Sequence, residues 1–209
     1  MKFRESMIST FFLVFICSVN AVAAEPALQP WSKNLWYWSD HGEPVLLLGG
    51  SDDDSLFQWL EQDLLAQPDR LVAAGGTVIR NTMSSRQDRG FEVFPFKQMK
   101  DGHYDLEEWN DEYWTRFDRM LRETAKREII VQIEIWDPWD YMGDTWHLQP
   151  YNPRNNITYT IQESGFVERY PEPAYHNKQP FFFTTPGQRN NHVVLHYQKR
   201  FVDKILEYT

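Results

Sequence analysis

Apolar and polar positions alternate most clearly over residues 129–136, where Ile129, Val131, Ile133 and Ile135 interleave with Ile130, Gln132, Glu134 and Trp136. A period of two with β-branched residues on one side predicts a strand. Its second side begins apolar and turns polar, the pattern of a strand covered on both faces in a parallel sheet. The run ends in Asp137-Pro138-Trp139-Asp140, which cannot continue a ladder. Two earlier runs resemble it. Glu43-Pro44-Val45-Leu46-Leu47-Leu48-Gly49-Gly50 reads as a buried strand, preceded by a short aromatic strand Asn34-Leu35-Trp36-Tyr37-Trp38 and the turn Asp40-His41-Gly42. Thr77-Val78-Ile79-Arg80-Asn81 reads as the next main strand, with Ile79 toward helices and Val78 and Arg80 on the other side.

Helical periods separate these strands. Leu56, Leu60 and Leu64 recur at four-residue intervals; Pro68 is expected to break that helix and start a second piece, which Gly75-Gly76 stops. Leu106, Trp109, Tyr113, Phe117, Met120, Leu121 and Thr124 share one helical face, with Asp105 to Glu108 resembling a capping box. Val194, Tyr197, Phe201, Ile205 and Tyr208 mark a last helix over residues 191–208. Residues 82–100 and 141–190 read as polar, aromatic loops, with Phe181-Phe182-Phe183 as a candidate short strand. The order is a hairpin followed by three βα units, so parallel strands with right-handed crossovers are expected. Three such units make the amino-terminal part of a TIM (β/α)8 barrel, whose full form needs about 250 residues. A small open α/β domain closed by its long loop is the alternative.

Composition narrows the class. The 209 residues carry a net charge of -9 and 9 Trp, and an acidic chain is a poor general ligand for nucleic acid or anionic membrane. Residues 1–24 read as a secretory signal, with Lys2 and Arg4, an apolar centre from Phe11 to Ile16, and Ala21-Val22-Ala23-Ala24 for cleavage. An uncleaved anchor is the rival reading. Cleavage would remove Cys17, the only cysteine, leaving residues 25–209 without disulfide or thiolate chemistry. The chain is therefore expected to be secreted or periplasmic. Asn156-Ile157-Thr158 is a glycosylation sequon, relevant only in a eukaryotic secretory pathway.

In α/β folds ligands sit beyond the carboxyl ends of the strands, which directs attention to three loops. Asp52-Asp53-Asp54 follows the first strand; capping, hydroxyl binding and metal binding are its readings in descending order. Arg80 and Glu134 fall on neighbouring strands and the same face, so Arg80 is expected to pair with Glu134 or Asp137. Such a pair either shapes the fold or orients a substrate. Trp136, Trp139, Tyr141, Trp146 and Tyr151 mix with Asp137, Asp140, Asp144 and His147 after the third strand. Sugar rings stack their C–H faces on aromatics, and their hydroxyls need carboxylates, amides and arginine. Some of these tryptophans are alternatively core for the loop itself. No phosphate-binding glycine loop, Ser-His-Asp order or zinc signature is present, so no cofactor or metal is expected.

The segment from Trp36 to Gly50 resembles the leading hairpin and first strand of apiosidase-like glycoside hydrolase barrels. Gly75-Gly76-Thr77-Val78-Ile79-Arg80 is similar to the second strand of retaining-glycosidase barrels, and the run from Tyr104 through Trp109-Asn110, Tyr113-Trp114 and Phe117-Asp118-Arg119 to their following helix. The resemblance implies a glycoside hydrolase cleaving poly- or oligosaccharides, with catalytic carboxylates beyond the fourth and a later strand. No catalytic residue carries over onto this chain. It would supply substrate-binding residues: Asp52, Asp53, Arg80, Asn81, Trp136, Asp137, Trp139, Trp146 and His147. Expected partners are a carbohydrate and the remainder of its own barrel downstream of Thr209, with no nucleic acid and, after signal cleavage, no membrane. A non-catalytic carbohydrate-binding or scaffold protein on the same fold is the alternative. A metal-dependent hydrolase using Asp52, Asp53 and Asp137 is a weaker third.

Overall fold

The computed structural model describes residues 28–170 and 179–208. The segment expected to be a secretory signal, residues 1–24 with Cys17, lies outside the described residues. The chain divides after Val45 into two compact units.

The first unit holds an antiparallel sheet of three short strands, β1 (Leu28–Pro30), β2 (Trp38–Asp40) and β3 (Glu43–Val45), in that order. His41 (φ 47°) and Gly42 (φ 86°) both take the left-handed conformation between β2 and β3. That is the two-residue turn whose twist matches a hairpin. The expected hairpin forms, but its first strand starts at Trp38; residues 31–37 instead fold into a hydrogen-bonded loop.

The second unit is built on a parallel pair, β4 (Val78–Thr82) and β7 (Ile130–Glu134), with Val78 opposite Ile130 and Thr82 opposite Glu134. On the far side of β4, Gly49 makes a single parallel bridge to Val78, and Thr77 and Val78 both donate to the Leu48 carbonyl. The expected first main strand thus shrinks to one contact point. Gly49 is required there: a Cβ would lie 1.9 Å from the Val78 carbonyl oxygen. Ile79 and Asn81 turn one face of β4 into the core, while Arg80 and Gln132 stand exposed on the other. Among the described residues the strands form small separate sheets and no closed barrel.

Helix α1 (Glu61–Ala73) begins after an extended Leu60, so the leucine repeat splits into a short 3-10 turn, Leu56–Gln58, and the helix proper. Pro68 does not break α1. It costs the bond its missing N–H would make to Leu64, and burial of Leu64, Gln67 and Pro68 on one face keeps the two halves in line. The capping box expected at Asp105 is also corrected. Tyr104–Trp109 is strand β6, paired antiparallel with β5 (Phe96–Gln98), because Tyr104 and Leu106 alternate into the core. Helix α2 (Asp111–Ala125) starts instead at Asn110, whose side chain accepts from the Glu112 N–H.

The described residues of the 141–190 segment fold onto a second core. Tyr141, Trp146, Tyr151, Tyr159, Phe166 and Phe181 are buried there together with Phe94, Phe96, Tyr104, Leu106 and Val194. Pro180–Phe183 is a 3-10 turn and not a strand. The short helix α3 (Ile161–Ser164) carries a capping box between Thr160 and Glu163, and Gly165 closes it in the left-handed conformation. Helix α4 (His192–Leu206), capped by Asn191, sends Phe201 and Ile205 under the parallel pair with Phe57, Ile79, Tyr113 and Phe117. Trp109 and Trp136 pack against both cores and join them. No helix among the described residues is long and apolar enough to cross a membrane.

Candidate functional site at the carboxyl ends of the parallel strands

Because β4, β7 and the Gly49 bridge run the same way, their carboxyl-end loops emerge together. Backbone bonds tie them: Thr82 N–H donates to the Asp54 carbonyl (2.6 Å) and Met83 N–H to the Glu134 carbonyl (2.8 Å). The Ser51 hydroxyl reaches the Arg80 carbonyl (3.0 Å), and Asp137 N–H reaches the Ser84 hydroxyl (2.9 Å).

On this frame the side chains form an alternating chain of charge, Glu134–Arg80–Asp54–Arg86–Asp140. Arg80 donates to Asp54 and lies 3.6 Å from a Glu134 oxygen, so the pairing expected from strand register is present. Glu134 also accepts from the Thr82 hydroxyl at 2.7 Å. Arg86 donates to the second Asp54 oxygen (2.7 Å) and places Nε 3.1 Å from Asp140. That last contact is electrostatic only, since Asp140 Oδ1 is buried and receives no hydrogen bond. Asp140 Oδ2 accepts from Ser84.

Burial dominates the acid–base chemistry of Asp140. Desolvation pushes its carboxyl up to about 6, and the charges of Asp137 and Asp54 add to this, while the Ser84 bond and Arg86 pull the other way. Burial also lowers the affinity of Arg86 for its proton, but Asp140 and Asp54 outweigh that and leave the guanidinium above its usual range.

The residues singled out from sequence divide into two groups. Arg80, Asp137 and Trp139 stand on the rim. Asp137 accepts from the Trp139 N–H (2.8 Å), and Trp139 is exposed beside it. Asp53 and Asp52 continue the rim outward, Asp53 paired with Arg89 (2.9 Å) and Asp52 with Gln67 (2.6 Å) and Arg70 (3.2 Å). The others serve the scaffold. Asn81 is fully buried and accepts from the Phe57 N–H (3.1 Å), pinning the 3-10 turn to β4. Trp146 is fully buried, with its indole donating to the Val167 carbonyl (2.8 Å), so it offers no face to a ligand. Trp136 stacks on Phe201 and meets Phe181 edge-on. Its edge borders a groove of about 300 Å³ shared with Phe181, Phe182, Leu195, Gln198 and Val202. His147 accepts from Arg169 Nε (3.2 Å) on the outer loop. The sequon residue Asn156 is buried, its amide donating to the Pro150 and Asn152 carbonyls.

Sequence reasoning missed Ser84, Arg86 and Arg89. Their signal was available: three acids in one loop, Asp52-Asp53-Asp54, face a second loop carrying two arginines at the same end of the sheet.

Chemically, the rim presents fixed carboxylate acceptors, a half-exposed guanidinium and an exposed indole, the partners that hydroxyl-rich ligands use. Among the described residues no group of three or more His, Cys, Asp or Glu side chains is placed to hold a metal ion. No protein-family model, curated protein or solved structure matches this chain.

Proposed function

We propose that this rim is the carbohydrate-binding part of an exported glycoside hydrolase built on a (β/α)8 barrel. The observation that carries the reading is the alternating chain Glu134–Arg80–Asp54–Arg86–Asp140 across the tips of the parallel pair β4 and β7 and the loop after the Gly49 bridge, with Trp139 beside it. Arginine–carboxylate pairs hold acceptors and donors in fixed directions, which is what a ring of hydroxyls requires. Arg80 and Gln132 share the polar sheet face that a barrel would turn inward.

In this reading Arg80, Asp137 and Trp139 touch the sugar, with Asp52 and Asp53 at its outer edge. The rim carboxylates are held by guanidinium, hydroxyl or backbone N–H partners, and in this reading they bind the sugar and leave its cleavage to other groups. The acid and nucleophile would come from other strands of the barrel, their separation setting retention or inversion. That division of labour also favours the second reading, a carbohydrate-binding protein without catalysis.

Calorimetric titration with soluble cello-, xylo- and manno-oligosaccharides tests the proposal. Binding to at least one series is expected, with Arg80→Ala weakening it about tenfold or more, roughly the loss of one charge-assisted pair. No binding by any series, or unchanged affinity in Arg80→Ala, would overturn it.

A further inference from the structure

Asp140 sits in the 3-10 turn Pro138–Tyr141 that carries Trp139. Only 3% of its side chain is exposed, so it cannot touch a ligand itself. The turn is anchored without that side chain. The Asp140 N–H donates to the Asp137 carbonyl (3.0 Å), and the Asp140 carbonyl accepts from the Gln149 amide (2.8 Å), which also holds the Ser85 carbonyl (2.6 Å). A buried carboxylate costs stability, and the backbone contacts do not require one here.

What the carboxylate does is join the two sides of the rim. Its Oδ2 accepts from Ser84, whose own oxygen accepts from the Asp137 N–H (2.9 Å). Its Oδ1 lies 3.1 Å from Arg86 Nε and receives no hydrogen bond, so charge alone holds that contact. Arg86 in turn donates to Asp54 (2.7 Å), the carboxylate that Arg80 also holds. The ionised form therefore strengthens the Ser84 bond on the Asp137–Trp139 side and fixes Arg86 on the Arg80 side. A neutral carboxyl keeps a weaker bond to Ser84 and offers Arg86 no charge.

We propose that Asp140 is the positioning residue of the rim and its proton switch: ionised, it locks the Asp137–Trp139 turn to the Arg86–Asp54–Arg80 chain, and protonated, it uncouples them. The switch rests on the carbohydrate reading of the rim for its ligand, and on the contacts above for its working. The charged groups facing Asp140 are Arg86 from the loop after β4, Asp54 from the loop after Gly49 and Asp137 from its own turn. Arg86 favours the ionised form and the two acids oppose it. Tyr141, the next residue, stays neutral because burial pushes its hydroxyl well above the ordinary value. Desolvation outweighs the help from Ser84 and Arg86 and carries the Asp140 carboxyl up to about 6.

NMR titration of the ligand-free full chain from about pH 4.5 to about pH 7.5 tests the switch. The Asp137 amide and the Arg86 and Arg80 Nε–H signals are expected to titrate together with the Asp140 carboxyl, at one midpoint of about 6. Asp140→Asn is expected to abolish that transition. Ser84→Ala removes a bond that favours the ionised form and is expected to raise the midpoint. Affinity for the best-binding soluble oligosaccharide is expected to fall about tenfold from the upper to the lower end of that range, roughly one charge-assisted hydrogen bond. Asp140→Asn is expected to bind at the weaker level throughout. By linkage, saturating sugar then moves the wild-type midpoint down by about one pH unit. A merely structural residue would lose binding and stability together, whereas Asp140→Asn is expected to gain stability on wild type over the interval in which it falls behind in binding. Rim signals that stay in place while Asp140 titrates, or that titrate equally in Asp140→Asn, overturn the proposal, as does an affinity independent of pH. A chain that shows the ligand-free transition and binds no sugar supports the switch and overturns the carbohydrate reading alone.

Discussion

Asp140 is held where water cannot stabilise its charge, and this sets a pH signature for the fold. In the unfolded chain its carboxyl titrates near about 3.9; in the folded protein it is pushed up to about 6. Between those values the folded state holds the extra proton, so this residue's contribution to stability falls as pH rises from about 4 to about 6 and is constant above. Asp140→Asn cannot titrate. Its stability relative to wild type is expected to rise by up to about 3 kcal/mol across that window. Urea denaturation of both proteins at several pH values measures this, and a constant difference would refute it. Arg80 is a different case. It is half exposed, and its ion pairs with Asp54 and Glu134 are solvent-screened. Arg80→Ala is expected to shift stability by no more than about 1 kcal/mol while weakening oligosaccharide binding.

At the scale of elements, two positions control how the rim is assembled. Gly49→Ala places a methyl against the Val78 carbonyl and must push the first loop off β4. A loss of about 2–4 kcal/mol is expected, against about 0.5 kcal/mol for Gly50→Ala, where a Cβ meets nothing. Thermal denaturation of the two variants checks the contrast. Asn110→Ala should cost about 1 kcal/mol by removing the cap of α2, a value that urea titration can confirm or exclude. These elements were unequally legible in the sequence. The β7 alternation, the α4 stripe and the Arg80–Glu134 pairing follow directly from period and register. The stretch Tyr104–Trp109 misled because Leu106 and Trp109 fit a helical spacing, and only pairing with β5 selects the alternating Tyr104 and Leu106 instead. Pro68 misled because propensity weighs one residue, whereas its burial on one face with Leu64 and Gln67 decided. Trp146 and Asn81 looked like ligand residues by type, yet burial is a property of the folded loop and no local pattern encodes it.

For the whole molecule, the account rests on the tips of β4 and β7 and the loop after Gly49 meeting at one rim whose charges interlock. Binding without cleavage is the expected behaviour, so the purified chain should show no turnover of aryl glycosides; sustained release of the aryl alcohol would contradict that. The most direct measurement is residue-resolved NMR of the labelled chain titrated with the best-binding soluble oligosaccharide. Concentration-dependent shifts are expected at the Arg80 guanidinium, the Asp137 and Trp139 amides and the Trp139 indole, with the buried Trp146 indole unmoved. A titration that leaves all four rim signals in place, or moves only signals distant from the tips of β4 and β7, would contradict the account.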